Sequence, residues 1–372
     1  MKIALDNQIF NYQSYGGISR YYSLLAKELL LLNQDLDIFA GIHQNNYLSG
    51  LPENIIWGIK LKQYLPKSRR FFQFLNHHLA NTKIRKWKPD IIHETYYSSM
   101  PFSNYSNIPR VTTVYDMIHE LFSEKFSARD KTSDKKRETV NRVNHIISIS
   151  NSTKKDLIEL FGVEEKKISV IHLGVDSFSF LNYDQNSTSE ATRPFLLYVG
   201  ERRGYKNFNA VLKAISQSNQ LKNEFDLVAF GGGSFSREEN AFISSMGFLE
   251  NRVRQVNGSD EILKKMYHQA SAFIYPSLYE GFGLPPLEAM ACSCPVIASN
   301  TSSMPEVIGD AGEYFNPNSS EDIRRAIEAV IYSPSRIIQL KDRGIKRVSF
   351  FGWDKCAKET LNVYKKIIKD SK

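Results

Sequence analysis

Two carboxylates, Glu280 and Glu288, bracket a glycine-flanked loop in the stretch Tyr275-Pro276-Ser277-Leu278-Tyr279-Glu280-Gly281-Phe282-Gly283-Leu284-Pro285-Pro286-Leu287-Glu288. An apolar run, Ala272 to Tyr275, precedes it and reads as a buried strand, and a helix is expected to begin near Pro286. A strand, a glycine loop and a helix start together make an anion site. Here the backbone of Gly281, Phe282, Gly283 and Leu284 would face a phosphate. The carboxylates need another partner, because they would repel phosphate. Sugar hydroxyls suit them, since an ionised carboxylate is a strong hydrogen-bond acceptor. A phosphate joined to sugars, as in a nucleotide sugar, satisfies both halves.

Two cations stand in a comparable position. Gly200-Glu201-Arg202-Arg203-Gly204-Tyr205-Lys206-Asn207 follows the strand expected over Phe195 to Val199. The carboxyl ends of strands in an open α/β sheet are where ligands bind. Cations there could neutralise a diphosphate leaving group as its charge grows. Asp116, in Val114-Tyr115-Asp116-Met117-Ile118-His119-Glu120, ends another strand and could contact a sugar or an attacking hydroxyl. His93 and His119 read as packing residues. No acidic cluster has metal-ligand spacing, and neither a metal nor a bound cofactor is expected.

The elements that must hold these residues alternate, short apolar strands with helical segments, which predicts two parallel-sheet domains. Strands are expected at residues 3–5, 38–40, 91–92, 111–115, 146–149 and 168–171, and again at 195–199, 227–230, 272–275 and 296–298. Helices are expected at 18–32, 154–161, 210–215, 261–269, 323–331 and 353–368. A Ser/Thr/Asn-rich run over 182–192 reads as a linker, giving domains 1–181 and 193–352. A chain of 372 residues suits two cores. Its 42% hydrophobic and 24% charged residues are ordinary for a globular protein. No apolar run nears the ~18 residues of a spanning helix, and the first residues lack a signal-peptide core. The three cysteines, Cys292, Cys294 and Cys356, read as buried thiols of a reducing compartment.

The signature stretch resembles that of glycosyltransferase family four, retaining enzymes of the two-domain GT-B fold. The resemblance is strong over 195–317 and looser before it. It implies two Rossmann-like domains facing a cleft, with the helix at about 353–372 crossing back to the first. It implies Glu280 beside the donor sugar and Glu288 on the ribose, and a cation pair drawn from Lys206 and either Arg202 or Arg203. Arg202, four positions before Lys206, has the family-like spacing. The family's first glycine loop falls on Gly16-Gly17 and implies Gly17 at the donor diphosphate and acceptor. Many relatives carry histidine where this chain has Tyr115, and glycine where it has Ser293. Within the family, Gly16-Gly17-Ile18-Ser19-Arg20-Tyr21 and Tyr115-Asp116-Met117-Ile118-His119-Glu120 are similar to bacterial mannosyltransferases of O-antigen or other surface polysaccharide. That similarity implies GDP-mannose as donor and a lipid-linked glycan as acceptor. Other readings are a UDP-sugar donor, a same-fold nucleotide-sugar epimerase and a non-catalytic nucleotide-sugar-binding protein.

The net charge is +8, and Lys60 to Lys88 holds nine basic residues and no acid. Phe71, Phe72, Phe74 and Trp87 lie among them. That mixture suits an anionic membrane surface; a basic solvated helix with its aromatics turned inward fits equally well. No nucleic-acid motif accompanies the charge, so nucleic acid is not an expected partner. The expected location is the cytoplasm, peripheral on the inner face of the cytoplasmic membrane.

Overall fold

A computed structural model describes residues 1–64, 68–100, 107–175 and 193–371, except the side chains of Arg69 and Arg70. The run expected to be a linker, 182–192, lies outside the described residues. The chain divides into two compact units: Met1–Gly174 with Trp353–Lys372, and Val175–Gly352.

The first unit is built on seven parallel strands: β1 (Lys2–Leu5), β2 (Asp35–His43), β3 (Ile56–Lys60), β4 (Ile91–Glu94), β5 (Arg110–Val114), β6 (His145–Ser148) and β7 (Ile168–Val170). Their order is β3-β2-β1-β4-β5-β6-β7, so the chain reverses direction of growth between β1 and β4. Strands β4 and β6 are buried at every residue, as a parallel sheet covered on both faces requires. Edge strand β3 escaped the sequence reading. Four of its five residues are exposed, although Ile56-Trp57-Gly58-Ile59 is largely apolar.

The helices Gly17–Leu31 and Trp353–Asp370 both belong to this unit and meet over the sheet. His93 ties them together. Its Nε2 lies 3.1 Å from the Tyr22 hydroxyl and 2.9 Å from Thr113 Oγ1, and its Nδ1 lies 2.5 Å from the Tyr364 hydroxyl. Burial pushes the His93 pKa down to about 3, so the ring is neutral and structural.

Asp6, just past β1, is completely buried. Its Oδ1 accepts from the Thr95 amide (2.8 Å), the Thr95 hydroxyl (2.5 Å) and the Gln8 amide (3.2 Å). Its Oδ2 has no partner. Burial first, and the charge of Glu94 second, raise its pKa to about 7. The folded protein therefore keeps a proton between about pH 4 and pH 7 that the unfolded chain has released. Stability from this group falls as pH rises through that window, by on the order of 4 kcal/mol in all. Asp6→Asn keeps the accepting oxygen and cannot ionise. Its urea midpoint is expected to gain on that of the wild type steadily from pH 4 to pH 8. A difference that does not change with pH would mean the carboxyl is ionised throughout.

The second unit has six parallel strands: β8 (Phe195–Val199), β9 (Asp226–Phe230), β10 (Val253–Val256), β11 (Ala272–Tyr275), β12 (Val296–Ser299) and β13 (Gly312–Phe315). The order is β10-β9-β8-β11-β12-β13, reversing between β8 and β11. Leu196, Tyr198, Phe208, Leu212, Ile274, Ile297 and Ile327 make a core between this sheet and the helices Phe208–Ser216 and Ser320–Ile331. The three cysteines are buried and free. Ser293 has φ +55°, a conformation that glycine adopts at least cost.

Candidate active site

The switch point between β8 and β11 brings together two loops that lie far apart in sequence. The β8 loop turns through a short 3-10 segment, Gly204–Lys206, and ends on Asn207 at φ +57°, a conformation asparagine tolerates. The β11 loop, residues 276–283, is fastened from both sides. Its Leu278 amide donates to the Tyr205 carbonyl at 2.7 Å, and Asn207 Nδ2 donates to the Pro276 carbonyl at 3.2 Å. On the other side, Ser302 Oγ accepts from the Glu280 amide at 2.9 Å. Ser303 Oγ lies 2.9 and 2.7 Å from the carbonyls of Glu280 and Phe282. Phe282 is buried and packs edge-on against Phe351, with ring centroids 5.8 Å apart. Its side chain is an anchor, so only its backbone is left for a ligand.

Lys206 and Glu280 meet in this crevice, Nζ to Oε1 at 2.7 Å. Their side chains are 19% and 11% exposed, sheltered enough for the pair to matter yet open to a ligand. The Tyr275 ring lies under the Lys206 ammonium, at 5.7 Å. Burial and the Glu280 charge hold that phenol well above its usual range. The Glu280 carboxylate is thus held by a cation and its amide by Ser302, in a place reached from the ends of two neighbouring strands.

The helix after the loop, Leu284–Ala291, starts two residues earlier than expected, with Gly283 as its cap at φ +108°. Only glycine takes that conformation readily. Pro285 and Pro286 follow inside the first turn and carry no N–H. The helix start therefore offers fewer amide donors than its position suggested. An anion bound here would rely more on Lys206 and on the loop backbone. Glu288 lies on this helix, half-buried; burial first, and the Glu288 charge second, raise the pKa of the Tyr267 phenol and of the Cys292 thiol.

Arg202, expected beside a diphosphate, is turned into the unit and buried. Its Nε donates to Glu239 at 2.8 Å, and Nη1 donates to the Gly231 carbonyl at 2.9 Å. Nη2 reaches the carbonyls of Gly232 and Ser234 at 3.3 and 3.2 Å. It braces the Gly231-Gly232-Gly233 turn after β9. Arg203, the other arginine considered, is exposed.

The two remaining expected residues belong to the first unit. Gly17 opens the helix Gly17–Leu31, and a side chain added there would meet nothing within 4 Å. Asp116 lies beyond the carboxyl end of β5. Its Oδ1 caps the Ile118 amide at 3.0 Å, and its side chain is 30% exposed. Lys136, which the sequence reading passed over, holds this corner. Its buried ammonium donates to the Asp116 carbonyl and to Glu120 Oε2, both at 2.8 Å, with Asp116 Oδ1 at 3.9 Å. His119 stacks on Phe126 and lies 3.8 Å from Asp130.

Comparison with known proteins agrees with this division. Residues 15–177 match the model of Glycosyltransferase Family 4, and residues 180–347 that of Glycosyl transferases group 1. O-antigen chain mannosyltransferase B of Escherichia coli is 26% identical over 98% of this chain and 100% of its own length. Among solved structures, sucrose-phosphate synthase of Thermosynechococcus elongatus superposes with a TM-score of 0.76 at 21% identity, covering all of both chains. Anabaena HepE, in complex with UDP and glucose, gives 0.75 at 17% identity over 98% of this chain and 99% of its own.

Proposed function

As a member of glycosyltransferase family four with the two Rossmann-like sheets of the GT-B fold, this chain is a sugar-transferring enzyme, and we propose that it moves mannose from GDP-mannose to a hydroxyl of a lipid-linked glycan in surface polysaccharide synthesis, with retention of configuration. The observation that carries the proposal is the Lys206–Glu280 pair at the β8/β11 switch point. The full-length likeness to an O-antigen chain mannosyltransferase supports the choice of sugar and pathway.

In this reading the pair is a placeholder. The donor diphosphate draws the Lys206 ammonium to itself and frees the Glu280 carboxylate for the donor sugar's hydroxyls. Glu288 accepts hydrogen bonds from the ribose. The acceptor hydroxyl attacks the anomeric carbon on the face the diphosphate is leaving. The new C–O bond forms as the C–O bond to phosphate breaks. The departing phosphate oxygen takes the hydroxyl's proton, so no separate protein base, metal or cofactor is needed. Charge growing on the leaving oxygens is what Lys206 stabilises.

The reading is tested by thermal shift with a panel of nucleotide sugars, comparing wild type with Glu288→Ala. A ligand that binds the native state raises its stability by mass action. GDP-mannose is expected to raise the midpoint of the wild type. The variant should bind about 10- to 100-fold more weakly, as loss of charge-assisted hydrogen bonds predicts. A shift with UDP-sugars alone would keep the transferase and replace the donor; HepE, with UDP and glucose bound, makes that the second reading. Conversion of donor with no acceptor present would indicate an epimerase. Donor binding without nucleotide release on adding acceptor would indicate a binding protein.

The same reading puts the chain at an anionic membrane surface through residues 60–88. Described cations of this segment include Lys60, Lys62, Lys83, Arg85, Lys86 and Lys88, while Phe71 and Phe74 are 63% and 56% exposed on the helix Arg69–Trp87. Lys67 and the side chains of Arg69 and Arg70 lie outside the described residues. Among the described residues no helix is long and apolar enough to cross a membrane.

A further inference from the structure

The first unit has a hollow at its β3 edge that the transfer reaction does not use. It measures about 330 Å³ and is lined by Phe39, Ile42, Trp57, Ile59, Leu79 and Lys83, with the backbone of Gly41 and Gly58 between them. Apart from the Lys83 ammonium, the side chains facing it are apolar or aromatic.

The hollow is built into the sheet. The pairing of β2 with β3 slips between Ile38 and Gly41, so Gly41 and Gly58 come to face each other. Gly41 has φ +63°, and a Cβ on Gly58 would lie 2.4 Å from the Gly41 carbonyl oxygen. Neither position accepts a side chain: one on Gly41 would run into Asn76 and one on Gly58 into the Gly41 backbone, so the floor of the hollow here is bare main chain. Buried Asn76 fixes the slip: its Oδ1 accepts from the Ile42 amide at 2.7 Å, and its Nδ2 donates to the Ile42 carbonyl at 2.7 Å and to Asn11 Oδ1 at 2.6 Å. Trp57 is held by its Nε1–H donating to Asp37 at 2.5 Å; Asp35 stands two residues earlier on β2 and Glu53 just before β3. Trp57, Ile59 and Leu79 nevertheless stay 41%, 67% and 43% exposed, and Lys83 Nζ stands 4.8 Å from the Trp57 ring centre.

We propose that this hollow seats one hydrocarbon chain of an anionic lipid, whose phosphate lies against Lys83 and the cations around it. The proposal deepens the membrane reading above and rests on it. Three features favour this occupant. The volume is at the low end of ligand pockets, about 300–1,000 Å³, enough for a chain and too little for a headgroup as well. The lining offers almost nothing to a polar ligand. The basic segment around it complements a phosphate, whereas a second copy docking here would bring the same positive charge against itself.

The probe is decyl phosphate, kept below its micelle concentration, with decyl maltoside and inorganic phosphate as controls. Binding to the full chain is read by calorimetry and by tryptophan fluorescence. Vesicles of anionic or neutral phospholipid are tested in parallel at low and high salt. The expected result is saturable binding of one decyl phosphate per chain, with the fluorescence change lost in Trp57→Phe. Leu79→Asp and Ile59→Asp, both at exposed positions, should weaken it at least tenfold without moving the melting temperature. Decyl maltoside should bind more weakly and inorganic phosphate should not compete. Salt-sensitive vesicle binding without saturable decyl phosphate binding would overturn the hollow and leave the membrane reading standing. Equally poor binding to both kinds of vesicle and to decyl phosphate would overturn both. Binding undiminished in both aspartate variants would place the chain elsewhere and overturn the assignment, as would a dimer that buries Trp57.

Discussion

Lys206→Met is expected to lower kcat by about 10²–10³-fold, the loss found when a donor aimed at developing transition-state charge is removed. The ammonium sits at the switch point of the second unit, 2.7 Å from Glu280 and above the Tyr275 ring. Methionine keeps most of the packing and removes only the charge. The single variant also leaves Glu280 without its cation, which lowers stability modestly because the site is partly open. Combining it with Glu280→Gln should restore the melting temperature and leave turnover low. That combination separates the two roles: a pair that merely props the loop would recover activity along with stability. The decisive measurement is single-turnover nucleotide release at saturating donor and acceptor. A raised KM with kcat unchanged would mean that Lys206 binds ground state and transition state alike, and would remove it from the chemical step.

Lys136→Met is expected to destabilise the first unit by about 3–5 kcal/mol, the usual result of stripping one partner from a buried ion pair. The Lys136 side chain is 1% exposed and that of Glu120 is 6% exposed. The ammonium is the cation between Glu120 and the Asp116 carbonyl, and Glu120 Oε1 already lacks a partner. Removing it leaves a carboxylate in an apolar corner beside Tyr97. At this size the melting temperature should fall by roughly 10 °C. Lys136→Met with Glu120→Leu should recover most of the loss, since an apolar pair of similar volume is tolerated where half an ion pair is not. Calorimetry of both variants checks the argument. A single variant as stable as wild type would mean that water reaches the corner.

The central architecture was readable in the residues because buried parallel strands announce themselves. Strands β8 and β11 fall on the expected residues, since both are continuous apolar runs with turn residues beyond them. Edge strands β10 and β13 do not announce themselves: Val253-Arg254-Gln255-Val256 is half polar and only half-buried. The helix start was readable in part. Pro285 and Pro286 are visible in the chain, yet their missing amides matter only once Gly283 is known to be the cap. The inward turn of Arg202 was not readable. Two adjacent arginines look alike until the fold sets Glu239 and three carbonyls around one of them. Lys136 gave no signal either, because its partners become visible only through the turn after β5. Ser302 and Ser303 were the nearest to a missed cue, a hydroxyl pair just beyond β12 that clamps the signature loop.

The helix Trp353–Asp370 belongs to the first unit although the whole second unit is encoded between them. Tyr364, fully buried, and its bond to His93 are parts of the first unit's core. On the ribosome, domains fold as units in order of emergence, and here that order is broken. The first 174 residues emerge early with a strip of their core uncovered. The second unit can finish before them. The segment made first is therefore the one completed last, and during that interval the apolar strip meant for Leu361, Tyr364 and Ile367 is the nascent chain's point of exposure to chaperones or to aggregation.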